Sequence, residues 1–551
     1  MRLSFNHGYT ENIAGSVIKG AGRRAKGILF AVATLTMAAG QPQYAAAAND
    51  QTLIVAIEAE PSQLDPHISG SWNTFRIIYH MFESLVAQDL TRDDLPQPPI
   101  VPALAESWKI SDDGLTYTFT LRQGVTFHDG TPWNSTAAVF NFDRMMNEDA
   151  PHYNAIAGPK LRWVLGDVES YRALDDVTFE IKLKNRNSEF LRRLTQGGVG
   201  SVTMVSPAAV ERYGNDGLTN HPVGTGPFKF VERVFGEKVV LEANDSYWNK
   251  ARHPKVGRIM FRGISELATR ELALQTGEVD IIATPSPDSV QFLNDQGFKI
   301  VKGPVSTVYV LWLNTKDPHF QDKRVRQAVA MAIDREGMAK HLKRGLAIPS
   351  YGLLNYGGPG HDPDFRDYPY DPEKAKQLLA EAGYPEGFET RMDWTLGGGG
   401  DVDTGAEAQW IQRNLEKIGI KASIELFDNN TYWDMLGKGA REGTGMMSVS
   451  WGETGFFWLD VVASQAALPP KGFNVGYYDN PKIDELLRQA EQAATEEEQV
   501  AKLRETNRII SDDAAILSYY TPIQVYAMQP NVDGLVMAPQ HWQDLTTITK
   551  N

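Results

Sequence analysis

Two hydrophobic periods alternate along this chain. Residues 51–59, QTLIVAIEA, read as a strand. SGSWNTFRIIYHMFESLVAQD follows, and Phe75, Ile78, Tyr79 and Phe82 share one face at helical spacing, which predicts a helix there. Residues 117–133, YTFTLRQGVTFHDGTPW, predict two strands broken at DGTP, with Ser135 capping a helix over TAAVFNFDRMM. Residues 177–184, VTFEIKLK, alternate as a half-buried strand, as do PFKFVERV and EKVVLEAN. This first part reads as mixed, with much antiparallel strand.

The pattern changes at YVLWLNTKDP, residues 309–318. KRVRQAVAMAIDREGMAKHL predicts a helix, with Asp334 and Arg335 as capping and flanking residues. DPEKAKQLLAEAGY predicts a helix that starts at Asp371 and Pro372 and stops at Gly383. Helices are expected over 406–419, 481–493 and 496–513, a strand over IKASIELF, and strand character again in AILSYYTPIQVYAM. Helices alternating with short strands predict an α/β arrangement for this part. Residues 448–462, SVSWGETGFFWLDVV, read as a strand running into a loop that carries four aromatic rings and two acids.

Length adds a bound. A chain of 551 residues is too long for one ordinary compact domain, so two or more lobes are expected. The net charge of -15 offers no cationic footprint for nucleic acid. Near the N-terminus Arg23, Arg24 and Lys26 precede the apolar run GILFAVATLTMAAG and then QPQYAAAAND. That order predicts a secretory signal cut near Ala48, with residues 1–48 removed. The apolar run is short for a membrane span, and Met1–Lys19 is long for the basic part of a signal. The chain has no cysteine, which excludes disulfides, thiolate metal sites, a cysteine nucleophile and a lipidated cysteine. The expected location is the periplasm, as a soluble exported protein.

Candidate chemistry is sparse. There is no GxSxG, no HExxH and no phosphate-binding loop with its lysine. GGPGHD, residues 357–362, lacks the strand and helix that a phosphate loop needs, and the Asp401/Asp403 loop lacks the glycine and glutamate of a calcium loop. His67 and His80 could approach one another, but backbone hydrogen bonds are the more ordinary use. Met446 and Met447 alternate in a strand and do not imply copper. Glu453 and Asp460 could form a glycosidase-like pair only if the loop set their distance. Tryptophan (12 residues) and tyrosine (20) are abundant. Trp451, Phe457 and Trp458 suit either the core or a cleft wall.

Several blocks resemble one family, the large extracytoplasmic solute-binding proteins of peptide and nickel ABC importers. The resemblance lies in residues 52–67 (TLIVAIEAEPSQLDPH), 101–144 (from VPALAESW through HDGTPW to FNFDR), HPVGTGPFKF, NDSYWN, RELALQTGEVDI, LWLNT with RVRQAVAMAIDRE, and NVGYYDNPKIDELLRQA. Glycines 224 and 226 of GTGPF read as residues that supply special backbone angles. Trp108 and Trp248 read as packing residues.

The resemblance implies an α/β, two-lobed periplasmic binding protein fold with an inserted subdomain in the first lobe. Its expected organisation is lobe I over 49–308, lobe II over 309–518 and a C-terminal return to lobe I over 519–551. It implies a monomer that encloses a solute between the lobes and hands it to membrane permease subunits, energised by a cytoplasmic ATPase, without cofactor or catalysis. A short peptide or peptide-like solute is the favoured cargo. A nickel or other metal chelate, an opine and a sugar conjugate remain open, as do a periplasmic enzyme and a chaperone-like role. By the resemblance, Trp72 lines the cleft from the first lobe, and Trp451, Glu453, Thr454, Phe457 and Trp458 line it from the second. Peptide binders carry an amine-holding aspartate three residues after the cleft tryptophan. Thr454 stands there, with Glu453 beside it. WGETGFFWLD is somewhat closer to glutathione-type binders, and its WG pair is similar to nickel-type ones.

Overall fold

A computed structural model describes residues 51–551 apart from 70, 196–200, 398–403 and 453–454. The expected signal segment, the Asp401/Asp403 loop, Glu453 and Thr454 therefore lie outside the described residues. One 12-stranded sheet organises the chain. Its strands are β1 (Thr52–Ile57), β2 (Phe228–Val234), β3 (Lys238–Ala243), β4 (Arg258–Gly263), β5 (Ile281–Ala283) and β6 (Lys299–Pro304). They continue with β7 (Val308–Leu313), β8 (Ala347–Pro349), β9 (Phe388–Thr395), β10 (Ile420–Phe427), β11 (Met446–Trp451) and β12 (Ile516–Met528). The order is β10-β9-β11-β7-β12-β5-β1-β4-β3-β2, with β6 and β8 also paired to β12.

The long strand β12 joins the two ends of this order. Its first residues pair with β7, from Trp312 opposite Ile516 to Tyr309 opposite Tyr520, and its last pair with β5 and β6 up to Met528. All six residues of β7 are buried and so are all but one of β12, which explains their near-continuous apolar sequences. Either side of this junction has its own cores. One gathers β1 to β5 with the C-terminal residues 532–548. The others gather β7 to β11 with the helices of the second part. A separate antiparallel sheet, in the order 105–110, 116–121, 178–183, 168–175, has a third core of its own.

Local sequence explains most elements. Asp371 accepts from Lys374 N ahead of Pro372, and Asp334 accepts from Gly337 N. Thr495 caps the helix Glu496–Asp513, whose first turn carries three glutamates facing the positive end of the helix dipole. Several expectations need correction: the second strand expected within 117–133 is only a bridge between Thr126 and Pro132, and the helix expected over 323–342 breaks at Ile333 and Asp334. Asn134, not Ser135, caps the helix Ser135–Met146, and Ser135 donates its hydroxyl to Asp175 O. The helix expected across 69–89 is only α1, Trp72–Ile78. There the backbone of His80 and Met81 is taken by the GTGPF turn, with Phe228 N bonded to His80 O and Gly226 N to Met81 O. FFWLD, expected as loop, belongs to a helix, Phe456–Ala463.

The same contact revises the role of GTGPF. Neither glycine has a positive φ. A Cβ on Gly224 would lie 2.1 Å from Met81 O, and one on Gly226 2.6 Å from His80 O. These glycines serve close backbone approach. Beside them the buried Glu83 accepts from Thr225 Oγ1 (2.9 Å), Tyr247 Oη (2.8 Å) and Trp248 Nε1 (2.9 Å). GTGPF and NDSYWN are thus fastened to one carboxylate.

Candidate functional site

Trp451 ends β11 and lies half-buried among three rings. Trp433 meets it edge-on at 5.5 Å, Trp458 at 5.5 Å and Phe473 at 5.6 Å. Trp458 beneath it is fully buried and donates Nε1 to Leu353 O at 2.8 Å. Its ring is therefore floor under Trp451 and not an exposed face. Phe457, next to it on the helix 456–463, is half-buried and faces outward to Arg193, whose guanidinium carbon sits 5.8 Å from its ring centre.

Trp72, at the start of α1, comes from the opposite side of the sheet order. Its ring lies 4.5 Å from that of His541 and stacks 5.8 Å from Trp542 at 19°. The two sides meet at Gly452. A Cβ there would sit 2.9 Å from Trp72 Cη2 and 3.0 Å from Thr307 Oγ1. Only a residue without a side chain lets Trp72 approach the chain directly after Trp451. The structure thus brings Trp72 and Trp451 to one place, 379 residues apart in sequence.

The groups that hold this junction are mostly ones that sequence reasoning missed. Thr307 Oγ1 and His541 Nε2 lie 2.6 Å apart. Burial first, and the Arg76 charge second, push His541 down to about 3, so its imidazole is neutral. Arg76 pairs with Glu58 and donates Nε to His541 O at 3.0 Å. Asn355 Nδ2 reaches Ser306 O and Trp451 O, both at 3.3 Å. Such contacts link residues near 58–76, 306, 355, 451 and 541, and no local motif signals them.

A second cross-contact runs along the GGPGHD loop. Gly357, at φ +71°, lies against Pro96, where a Cβ would come 1.8 Å from the carbonyl oxygen. These glycines pack chain against chain and form no phosphate cradle. His67 and His80 do not meet as a metal pair. His67 is bonded to Thr203 O and Arg144, and His80 Nε2 accepts from Leu545 N. Among the described residues no group of three histidine, aspartate or glutamate side chains could hold a metal ion. What the junction offers is aromatic surface beside hydrogen-bonding groups and one internally paired charge couple, Arg76–Glu58, which suits binding and release.

Comparison with known proteins follows the same lines. A sequence model described as bacterial extracellular solute-binding proteins, family 5, middle region, matches residues 99–467. The glutathione-binding protein GsiB of Salmonella typhi is 30% identical over 497 residues, which cover 88% of this chain and 92% of that one. The periplasmic binding protein DppA of Helicobacter pylori, solved with the peptide STSA, superposes with a TM-score of 0.78 at 28% identity, covering 91% of this chain and 98% of that one. HbpA2 of Haemophilus parasuis gives a TM-score of 0.76 at 26% identity, covering 91% of this chain and 100% of that one. The fold is that of the two-lobed periplasmic binding proteins. The relatives are solute-binding proteins, not enzymes, and no helix among the described residues is long and apolar enough to cross a membrane.

Proposed function

This chain belongs to the family 5 bacterial extracellular solute-binding proteins, and from that premise we propose that it captures a short peptide or peptide-like solute for an ABC importer. The observation that carries this reading is the approach of Trp72 to Gly452, directly beside Trp451. Aromatic surfaces from both halves of the sheet converge where the backbone crosses between them. A solute held there is shielded from water, so each hydrogen bond to it counts for more. The lobes run over 49–308 and 309–518, with a return over 519–551, and the 105–183 sheet is the insert of the first lobe. Relatives named for glutathione and for a bound tetrapeptide support a peptide-like cargo of that size class.

Trp72, Trp451 and Phe457 supply ring surface to the solute, with Trp458 as their support. Glu453 takes a cationic group of the solute in place of the aspartate that peptide binders carry at the position of Thr454. The protein acts as a periplasmic monomer, exported by residues 1–48. It delivers its load to permease subunits in the inner membrane. Native mass spectrometry of protein purified without refolding tests the reading. A co-purified mass in the range of a short peptide, together with calorimetric binding of reduced glutathione or of a member of a di- and tripeptide panel, is the expected result. A metal chelate or a non-peptide conjugate in its place, with no peptide bound, overturns it.

A further inference from the structure

Away from the aromatic junction the first-lobe insert makes a second contact across the cleft. The turn Asn187–Arg193 leaves the small sheet and meets three helices of the second lobe: 456–463, 481–491 and 496–513. Gln499 Nε2 donates to Ser188 Oγ at 2.6 Å. Ser188 N and Oγ both point at Glu491 O at the hydrogen-bond limit of 3.5 Å. The Arg193 guanidinium lies 5.9 Å from the centre of the Phe456 ring and 5.8 Å from that of Phe457. Glu189 and Gln499 are both buried in this contact.

Among the described residues, carboxylates outnumber arginines at this contact. On the insert side Glu189 stands with Arg192 and Arg193, and Asp167 lies nearby. On the facing side stand Asp460, Glu491 and Glu496, with Asp484 behind Asp460; Arg193 opposes the first two across the contact and Arg192 the third, while Arg488 is spent on Glu485 at 2.9 Å. Asn187 Nδ2 holds Asp167 Oδ2 at 2.8 Å, directly before Ser188, which meets Glu491 O.

Resting on the importer reading above, we propose that the turn Asn187–Arg193 is a proton-sensitive latch: closing it on the three second-lobe helices draws a proton onto the crowded carboxylates, so capture tightens as the medium acidifies. Glu491 is the principal acceptor. Burial first, then Asp167, with Asp460 adding and Arg193 opposing, push its carboxyl up to about 7. Burial pushes Asp460 and Glu189 up as well, against Arg193 for the first and both arginines for the second. With the lobes apart, Glu491 returns to the ordinary glutamate range near ~4.3. The closed form thus holds about one more proton than the open form between about pH 4.3 and 7, and closure is favoured on the acid side of that window.

The absence of cysteine in the chain supplies the test. Two cysteines introduced at the exposed positions Ser170 and Glu497 carry a donor and an acceptor dye, and energy transfer reads the latch without any solute. The closed fraction is expected to rise between pH 7.5 and 5.5 in this background. With Glu491→Gln it is expected to stay near the acid value throughout. In parallel, reduced glutathione is expected to bind about tenfold more tightly at pH 5.5 than at 7.5, and E491Q is expected to remove most of that difference. A flat energy-transfer profile, or the same pH response in E491Q, overturns the latch. A pH-dependent profile with no glutathione or peptide bound at any pH overturns the cargo reading and leaves the latch standing.

Discussion

Gly452→Ala is the sharpest probe of the cleft. The added methyl would meet Trp72 Cη2 at 2.9 Å and Thr307 Oγ1 at 3.0 Å, against an ordinary carbon contact of about 3.5–4.0 Å. Neither neighbour yields easily. Trp72 stacks on Trp542 with the tilted His541 ring 4.5 Å away, and Thr307 is tied to His541. Overpacking of this kind costs about 1–3 kcal/mol. The Trp72 part of the clash exists only while Trp72 is seated on Gly452 and falls on closure, whereas Thr307, one residue before the Val308 that pairs with Trp451, adds a smaller cost to folding. Converted at about 1.4 kcal/mol per tenfold, affinity should fall by about 5- to 150-fold. Calorimetric titration with reduced glutathione measures the loss, and the melting temperature of the solute-free protein provides the control. Unchanged affinity would mean that Trp72 does not seat on Gly452 when solute is held. A large drop in the solute-free melting temperature with unchanged affinity would assign Gly452 to folding alone.

Four further outcomes are expected. Gly224→Ala forces a methyl to 2.1 Å from Met81 O and should lower stability by about 3 kcal/mol, near the upper end for overpacking, in urea unfolding. Glu83→Leu strands two buried donors, Thr225 and Tyr247, at roughly 1–3 kcal/mol each, and the half-buried Trp248 Nε1, so the same assay should show a loss of at least about 2 kcal/mol, and a neutral result would refute the hub. Trp451→Ala should weaken binding and also cost about 1–2 kcal/mol of stability, because its ring packs on three others; loss of affinity alone would make it purely a cleft surface. Burial pushes His67, His80 and His128 down to about 4 and His541 to about 3. These side chains take up protons on unfolding at a pH where the folded protein stays neutral. Their contribution is complete above about pH 6.5 and is lost as pH falls towards 4, with Glu491 partly opposing between 4.3 and 7. Urea midpoints should therefore fall as pH is lowered from 6.5 to 5, and a midpoint that rises would contradict the burial of these imidazoles.

What could be read in the chain divides by range. Local codes wrote themselves plainly: Asp371-Pro372 opens a helix and Gly383 follows its end, and Thr495 with three glutamates opens another. Period-two alternation marked β2 and β3, and continuous apolar runs marked β7 and β12. Where a distant segment competes for the same backbone, local pattern failed. The helical face of Phe75, Ile78, Tyr79 and Phe82 is present, yet the helix stops at Ile78 because GTGPF claims the next carbonyls from about 145 residues away. FFWLD looked like loop beside WGETG, but Trp458 and Leu459 turn it into a helix that fills a core.

The cleft shows the same division. Sequence alone supplied the family likeness and the aromatic character of Trp72 and Trp451. It also supplied the absence of cysteine and the threonine at position 454. Tertiary structure decided that Trp458 is floor and that Gly452 is bare so that Trp72 can reach it. It also brought Thr307, Asn355 and His541 to the crossing, and it set Arg193 over Phe457. The reason is physical. A cap, a turn or a period is fixed by residues within a few positions of each other, whereas a cleft is defined by segments hundreds of residues apart whose only common cause is the fold that makes them neighbours.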